Sequence, residues 1–167
     1  RELTPILTSR GASLVVKGKV YKACVQRVLV YGSETWPMKV EDMQRLGRAE
    51  RMMVRWMCGV TLKNRISSKE VYSRLNVEEV SDVVRRGRLR WFGHLERKSE
   101  SDWVSACRYL DVDGDKQKGR SRKTWGECVK NDLKHLGLER DWAHDRVRWR
   151  GLICGIRPTR ACMDNGR

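Results

Sequence analysis

Apolar residues recur at three- and four-residue spacing through most of this 167-residue chain, and glycine closes half of the runs. That period lays one apolar stripe along a helix, so the chain must bury a set of helical stripes against one another. The first run, Val15 to Tyr31, is the most apolar: Val20, Cys24, Val28 and Tyr31 repeat along one line, with Tyr21, Val25 and Leu29 one step around. Its valines would also suit a strand, but length and spacing favour a helix, stopped at Gly32 and Ser33. An apolar arc so wide has to be covered on two sides.

Pro37 separates this run from a second helix, Val40 to about Cys58. It turns Leu46, Ala49, Met53, Trp56 and Met57 to one side and Arg48, Arg51 and Arg55 to the other, and Gly59 ends it. Ser67 with Glu70 predicts a capping box for a short helix through Leu75. The next helix runs from about Val77 to Arg97, with Val80, Val84, Trp91 and Leu95 inward and Gly87 placed in that row for close backbone approach. Arg86, Arg90 and Arg97 lie on its flank. From Tyr109 to Arg122 the helical period stops, and Asp113-Gly114 marks a small hairpin or irregular loop. Thr124 with Glu127 forms a second capping box, opening a helix with Trp125, Val129, Leu133 and Leu136 inside and Gly137 as its stop. Asp141 is expected to cap a last helix that turns Trp142, Trp149 and Ile153 inward. The fold class expected is mainly α: small helical domains with one short β-hairpin near residues 109–122.

Against that helical frame, the charge is lopsided. Lys+Arg number 36 against 21 Asp+Glu, a net charge of +15, which makes a polyanion the expected partner. At 40% hydrophobic the chain is too apolar for a disordered tail, and no stretch reaches the ~20 apolar residues that span a bilayer, so no membrane partner is expected. The first residue is Arg1 rather than Met, so an upstream segment is expected. Six cysteines (Cys24, Cys58, Cys107, Cys128, Cys154 and Cys162) form no C-x2-C or C-x4-C half-site, and no secretory pattern accompanies them. They read as reduced thiols in an intracellular protein of the nucleus or cytoplasm.

Catalytic chemistry finds no foothold. A two-metal centre needs clustered carboxylates. Asp111, Asp113 and Asp115 resemble the start of a calcium loop, but Lys116 stands where that loop needs glycine and Arg122 where it needs glutamate. Asp141 and Asp145 lie one turn apart, with Arg140 and Arg146 beside them as competing partners. There is no G-x-S-x-G and no P-loop. No catalytic residue, metal ligand or cofactor is therefore assigned within the chain, and binding remains.

Three basic groups are the candidates: Arg48, Arg51 and Arg55; Arg85, Arg86, Arg88 and Arg90; and Lys116, Lys118, Arg120, Arg122 and Lys123. The third precedes a capped helix, where flexible cations, backbone N–H groups and the positive end of the helix dipole would converge on one phosphate. Each group also reads as an ordinary solvated face. Trp56, Trp91, Trp125 and Trp149 are assigned to packing, and Trp36 beside Pro37 is the candidate for base stacking.

The order of motifs carries a resemblance. Leu29-Val30-Tyr31-Gly32-Ser33-Glu34-Thr35-Trp36 resembles the Leu-x-Tyr-Gly-x-Glu-x-Trp element downstream of the polymerase core in non-LTR (LINE-type) retrotransposon reverse transcriptases. Arg51-Met52-Met53-Val54-Arg55-Trp56-Met57 is similar to that family's next helix. Arg88-Leu89-Arg90-Trp91-Phe92-Gly93-His94-Leu95 resembles its Arg-x-Trp-x-Gly-His element. Gly119-Arg120-Ser121-Arg122-Lys123-Thr124-Trp125 resembles Gly-Arg-Pro-x-x-Thr-Trp, with Ser121 in place of the proline that would fix the backbone before the helix.

The resemblance implies a C-terminal fragment of an RNA-directed DNA polymerase: a thumb-like helical segment at 1–60, a basic helical segment at 61–108, and a hairpin or loop with the C-terminal helices at 109–167. Its partners would be RNA or DNA and the upstream palm and fingers. The magnesium of that family belongs to palm aspartates in a Phe/Tyr-Ala-Asp-Asp motif, which this chain does not contain. A rival expectation is a transposon-derived helical scaffold whose apolar first helix docks a protein partner.

Overall fold

The computed structural model describes residues 3–99, 101–109 and 123–155. Among them the fold is helical throughout, with no strand. The hairpin expected near residues 109–122 lies outside the described residues, except that Tyr109 closes a helix. The helices are α1 (Thr4–Thr8), α2 (Leu14–Val20), α3 (Arg27–Leu29), α4 (Val40–Met57), α5 (Ser68–Leu75), α6 (Val80–Glu96), α7 (Trp103–Tyr109), α8 (Trp125–Leu136) and α9 (Arg146–Cys154). A π-helical stretch, Tyr21–Gln26, joins α2 to α3 without a break.

The helix ends follow local chemistry. Ser13 Oγ accepts the N–H of Val16 to open α2, and Ser67 Oγ accepts that of Glu70 to open α5. Glu70 does not complete the reciprocal half of a box; its carboxylate pairs with Arg74 one turn on, at 3.0 Å. Thr124 and Glu127 do form the full box at α8. Left-handed Gly59 follows α4 and Gly137 follows α8, both with positive φ. The last helix starts later than expected. Asp145, not Asp141, caps it, its Oδ1 accepting from Val147 and Arg148 N–H at 2.9 and 3.0 Å, while Asp141 opens a short 3-10 turn to Ala143.

The chain divides into two compact units: Arg1–Ser33 with Met38–Val84, and Glu34–Pro37 with Arg85–Arg167. In the first, Leu7, Tyr21, Val54, Met57, Val71, Tyr72, Leu75 and Val77 form the core. Gly18 is what lets α2 cross the end of α5, since a Cβ there would overlap the Leu75 carbonyl. Lys17, buried beside it, donates from Nζ to the Met57 carbonyl at 3.1 Å, satisfying an orphan acceptor at the negative end of α4.

The first helical run turns differently from its apolar line. Cys24, Val28 and Tyr31 are exposed, and Tyr21 and Gln26 are buried instead. The π-helical stretch explains this: with i→i+5 hydrogen bonds, residues five apart face the same way, so Tyr21 and Gln26 both reach Glu50 of α4. Glu50 has no solvent exposure. Its Oε1 accepts from Tyr21 Oη at 3.1 Å and Gln26 Nε2 at 3.2 Å, and its Oε2 from Tyr72 Oη at 3.0 Å and the Val80 N–H at 2.7 Å. This network ties the π-helical stretch, α4, α5 and the start of α6 together.

The second unit is built on Leu89, Phe92, Val129, Ala143, Trp149 and Ile153. Trp149 of α9 lies across α6: its Nε1 donates to the Leu89 carbonyl at 3.0 Å, and a Cβ on Gly93 would collide with the indole. The close approach expected at Gly87 is therefore made more tightly at Gly93, the glycine of the Trp-x-Gly-His run. Of the row expected to face inward, Val80, Val84 and Leu95 are buried and Trp91 is half-buried, stacked on exposed His94.

Candidate nucleic-acid interface

In the first unit, α4 turns its core-facing side through Glu50, Val54 and Met57, which rotates the opposite face into solvent. Arg48 and Arg51 stand exposed there, as does Arg45, which the basic pattern of the sequence did not set apart. Arg55 does not join them fully: it is half-buried and its Nη2 donates to the Ile66 carbonyl at 2.9 Å. Trp56 and Ala49, expected inside, are both exposed, Trp56 at 51%, and Met52 one turn before Trp56 is 73% exposed. Beyond the acidic first turn of Glu41 and Asp42, the only carboxylate in α4 is the buried Glu50. The exposed face of α4 from Met43 onward is thus cationic with two large apolar side chains set into it.

In the second unit the arginine run splits. Arg88 is buried, with Nε 2.9 Å from Asp132 Oδ2, and Arg85 Nε lies 3.6 Å from Asp132 Oδ1. Burial pushes the Asp132 carboxyl above its ordinary range, although Arg88, Arg85 and Lys123 pull the other way. Arg86 is half-buried and not free of partners. Arg90 is exposed. Helical position decides this division: Arg88 follows Val84 by one turn onto the packed face of α6, whereas Arg90 falls on the outer side. Arg97, on the same flank, donates from Nη1 to the Ala143 carbonyl, and burial draws its guanidinium down, helped by Arg146.

Of the third group, Lys116, Lys118, Arg120 and Arg122 lie outside the described residues, and Lys123 is exposed directly before α8. The start of α8 is already occupied. The Glu127 carboxylate accepts the Thr124 N–H at 3.0 Å, placing an anion where the phosphate was expected. Trp36, the stacking candidate, is exposed, and Trp149 is buried as expected. Trp125 is half-buried, its indole N–H donating to the Glu34 carbonyl at 2.7 Å.

A groove of about 660 Å³ opens in the second unit between α6, α7 and α8, walled by Trp91, Phe92, Leu95, Val129 and Leu133 with Lys130 at its edge. Among the described residues no group of three His, Cys, Asp or Glu is suited to hold a metal ion, and no helix is long and apolar enough to cross a membrane. Cys24, Cys58, Cys107 and Cys128 are free thiols. Burial pushes the Cys58 thiol up, outweighing Arg74 and Lys17.

The two helical units and the arginine face define a basic α-helical protein. No protein-family model matches the chain, and no solved structure does. It is 19% identical over 150 residues to an uncharacterized transposon-derived protein of Caenorhabditis elegans, a match covering 83% of this chain and 54% of the relative. The chain thus spans about half the length of the curated relative it matches. That likeness supports a transposon-related origin.

Proposed function

We propose that this chain is a non-catalytic nucleic-acid-binding part of a retrotransposon RNA-directed DNA polymerase, lying C-terminal to its palm and fingers. It grips template–primer or target DNA by phosphate contacts. The observation that carries the reading is the exposed, carboxylate-free face of α4 with Arg45, Arg48 and Arg51. Guanidinium groups held on a rigid helix meet phosphate oxygens bidentately and carry no base preference of their own. The order of the four sequence motifs supports this origin, and the transposon-derived relative supports a transposon-related one.

Fluorescence anisotropy with labelled RNA–DNA hybrids and DNA duplexes of unrelated sequence tests it. On duplex DNA, log affinity should fall against log salt by about 0.9 for each phosphate neutralised. Arg48→Ala with Arg51→Ala should weaken all sequences alike. Affinity that does not change with salt would overturn the reading.

One observation favours a second reading, a transposon-derived helical scaffold that binds protein. Val28 and Tyr31 are 75% and 86% exposed on one side of the first helical run. On that reading Val28→Asp abolishes a protein complex and leaves nucleic-acid affinity unchanged.

A further inference from the structure

Met52 and Trp56 are separated by one helical turn and share the outer face of α4 with Arg45, Arg48 and the small Ala49. Trp56 is half open to solvent, whereas Trp149 in the other core is 2% exposed, so Trp56 is not serving as core filler. Duplex nucleic acid turns its phosphates outward and keeps its base faces stacked, so it uses arginines but has little use for an indole and a thioether beside them. An unpaired strand offers both: phosphates for the guanidinium groups and π-faces for the aromatic ring.

We infer that the outer face of α4 is a stacking platform for an unpaired nucleic-acid strand, with Trp56 and Met52 against the bases and Arg45 and Arg48 on the flanking phosphates. This rests on the nucleic-acid-binding reading above and narrows it to single strands at this face. Charge complementarity selects the occupant: between Met43 and Met57 the face presents arginine and no solvent-facing carboxylate. Stacking on Trp56 is tolerant of sequence because every base has a π-face, in keeping with a surface that follows a moving strand.

The test uses the full chain and two fluorescent probes, an oligothymidine of about 20 nucleotides and a blunt duplex of the same length, read by anisotropy across a salt series. Trp56→Ala should weaken the single strand roughly 5-fold or more, as loss of one stacked base does. It should change duplex affinity less than about 2-fold and leave the salt slope unaltered, because every cation that meets a phosphate is still in place. Trp56→Phe should restore most of the strand affinity. Arg45→Ala should instead lower the slope on the single strand by about 0.7. Met52→Ala, at a more exposed position, should act in the same direction as Trp56→Ala and carries the test if that variant melts early. Equal binding of the strand by Trp56→Ala, Met52→Ala and the parent chain overturns the platform, as does equal loss on strand and duplex. A parent chain that binds neither probe overturns the nucleic-acid reading itself, and the platform with it. Salt-dependent duplex binding with no effect of Trp56 removes the platform alone.

Discussion

Glu50 is fully buried, and every donor that reaches it is neutral: two phenols, a side-chain amide and a backbone N–H. Four such bonds fill both carboxylate oxygens, which is what allows an acid to be buried beside the core residues Tyr21 and Tyr72 at all. Glu50→Ala would strand two tyrosine hydroxyls and the Val80 N–H, and should cost at least about 3 kcal/mol of unfolding free energy in a urea titration. The two phenols also set a pH limit. Burial first, then the Glu50 carboxylate, raises both Tyr21 and Tyr72 well above the ordinary tyrosine range. The folded state therefore holds these protons after the unfolded chain has released them. Their stabilisation is complete below about pH 10 and falls as pH climbs past it, by up to about 1.4 kcal/mol per pH unit for each phenol. Thermal melts between neutral and strongly alkaline pH check this; Tyr21→Phe with Tyr72→Phe should flatten the alkaline limb while lowering stability near neutrality. None of this hub was legible in the sequence. The α4 pattern put Trp56 inside because tryptophan is apolar and glutamate is not; partners from three distant segments reversed that preference and rotated the helix by most of one residue step.

Element ends were legible because capping is local. Ser67, Thr124, Gly59 and Gly137 stand where their side-chain or backbone chemistry satisfies groups within a few residues. Asp141 and Asp145 offered the same cap four residues apart, and sequence pattern did not separate them. The π-helical stretch is a different case, since the segment Tyr21–Gln26 carries no composition that favours i→i+5 bonding. It is held by its ends, which both reach Glu50. Deleting exposed Cys24 should therefore be tolerated: Tyr21 and Gln26 become four apart, and an ordinary α-helix then aims both at the same carboxylate. The melting temperature should stay within about 4 °C of the parent. Deleting exposed Lys19 instead rotates Lys17 and Gly18 away from Met57 and Leu75, and should lower the melting temperature by more than about 8 °C. Circular dichroism melts of the two deletions decide the matter; equal damage from both would mean that the π geometry itself is required.

Across the whole molecule, net charge is a poor guide to the cations a ligand can meet. Of the arginines expected to bind, Arg88 is spent on Asp132 and Arg55 on the Ile66 carbonyl, while Arg45 is exposed although no sequence pattern marked it. Composition counts charges and cannot say which of them the fold turns inward. Two triple variants separate the possibilities, each removing three positive charges from the +15 of the parent. Arg45→Gln, Arg48→Gln and Arg51→Gln should keep the melting temperature and lower the single-strand salt slope by about 0.7 for each phosphate no longer neutralised. Arg55→Gln, Arg88→Gln and Arg97→Gln should lose about 3 kcal/mol or more, because part-buried Asp132 keeps only the more distant Arg85 and the Ile66 and Ala143 carbonyls lose their donors. At a temperature where that second variant is still folded, its salt slope should match the parent's. If instead both triples lose affinity equally, attraction depends on total charge alone, and the placement of arginines on α4 has no part in how a polyanion is held.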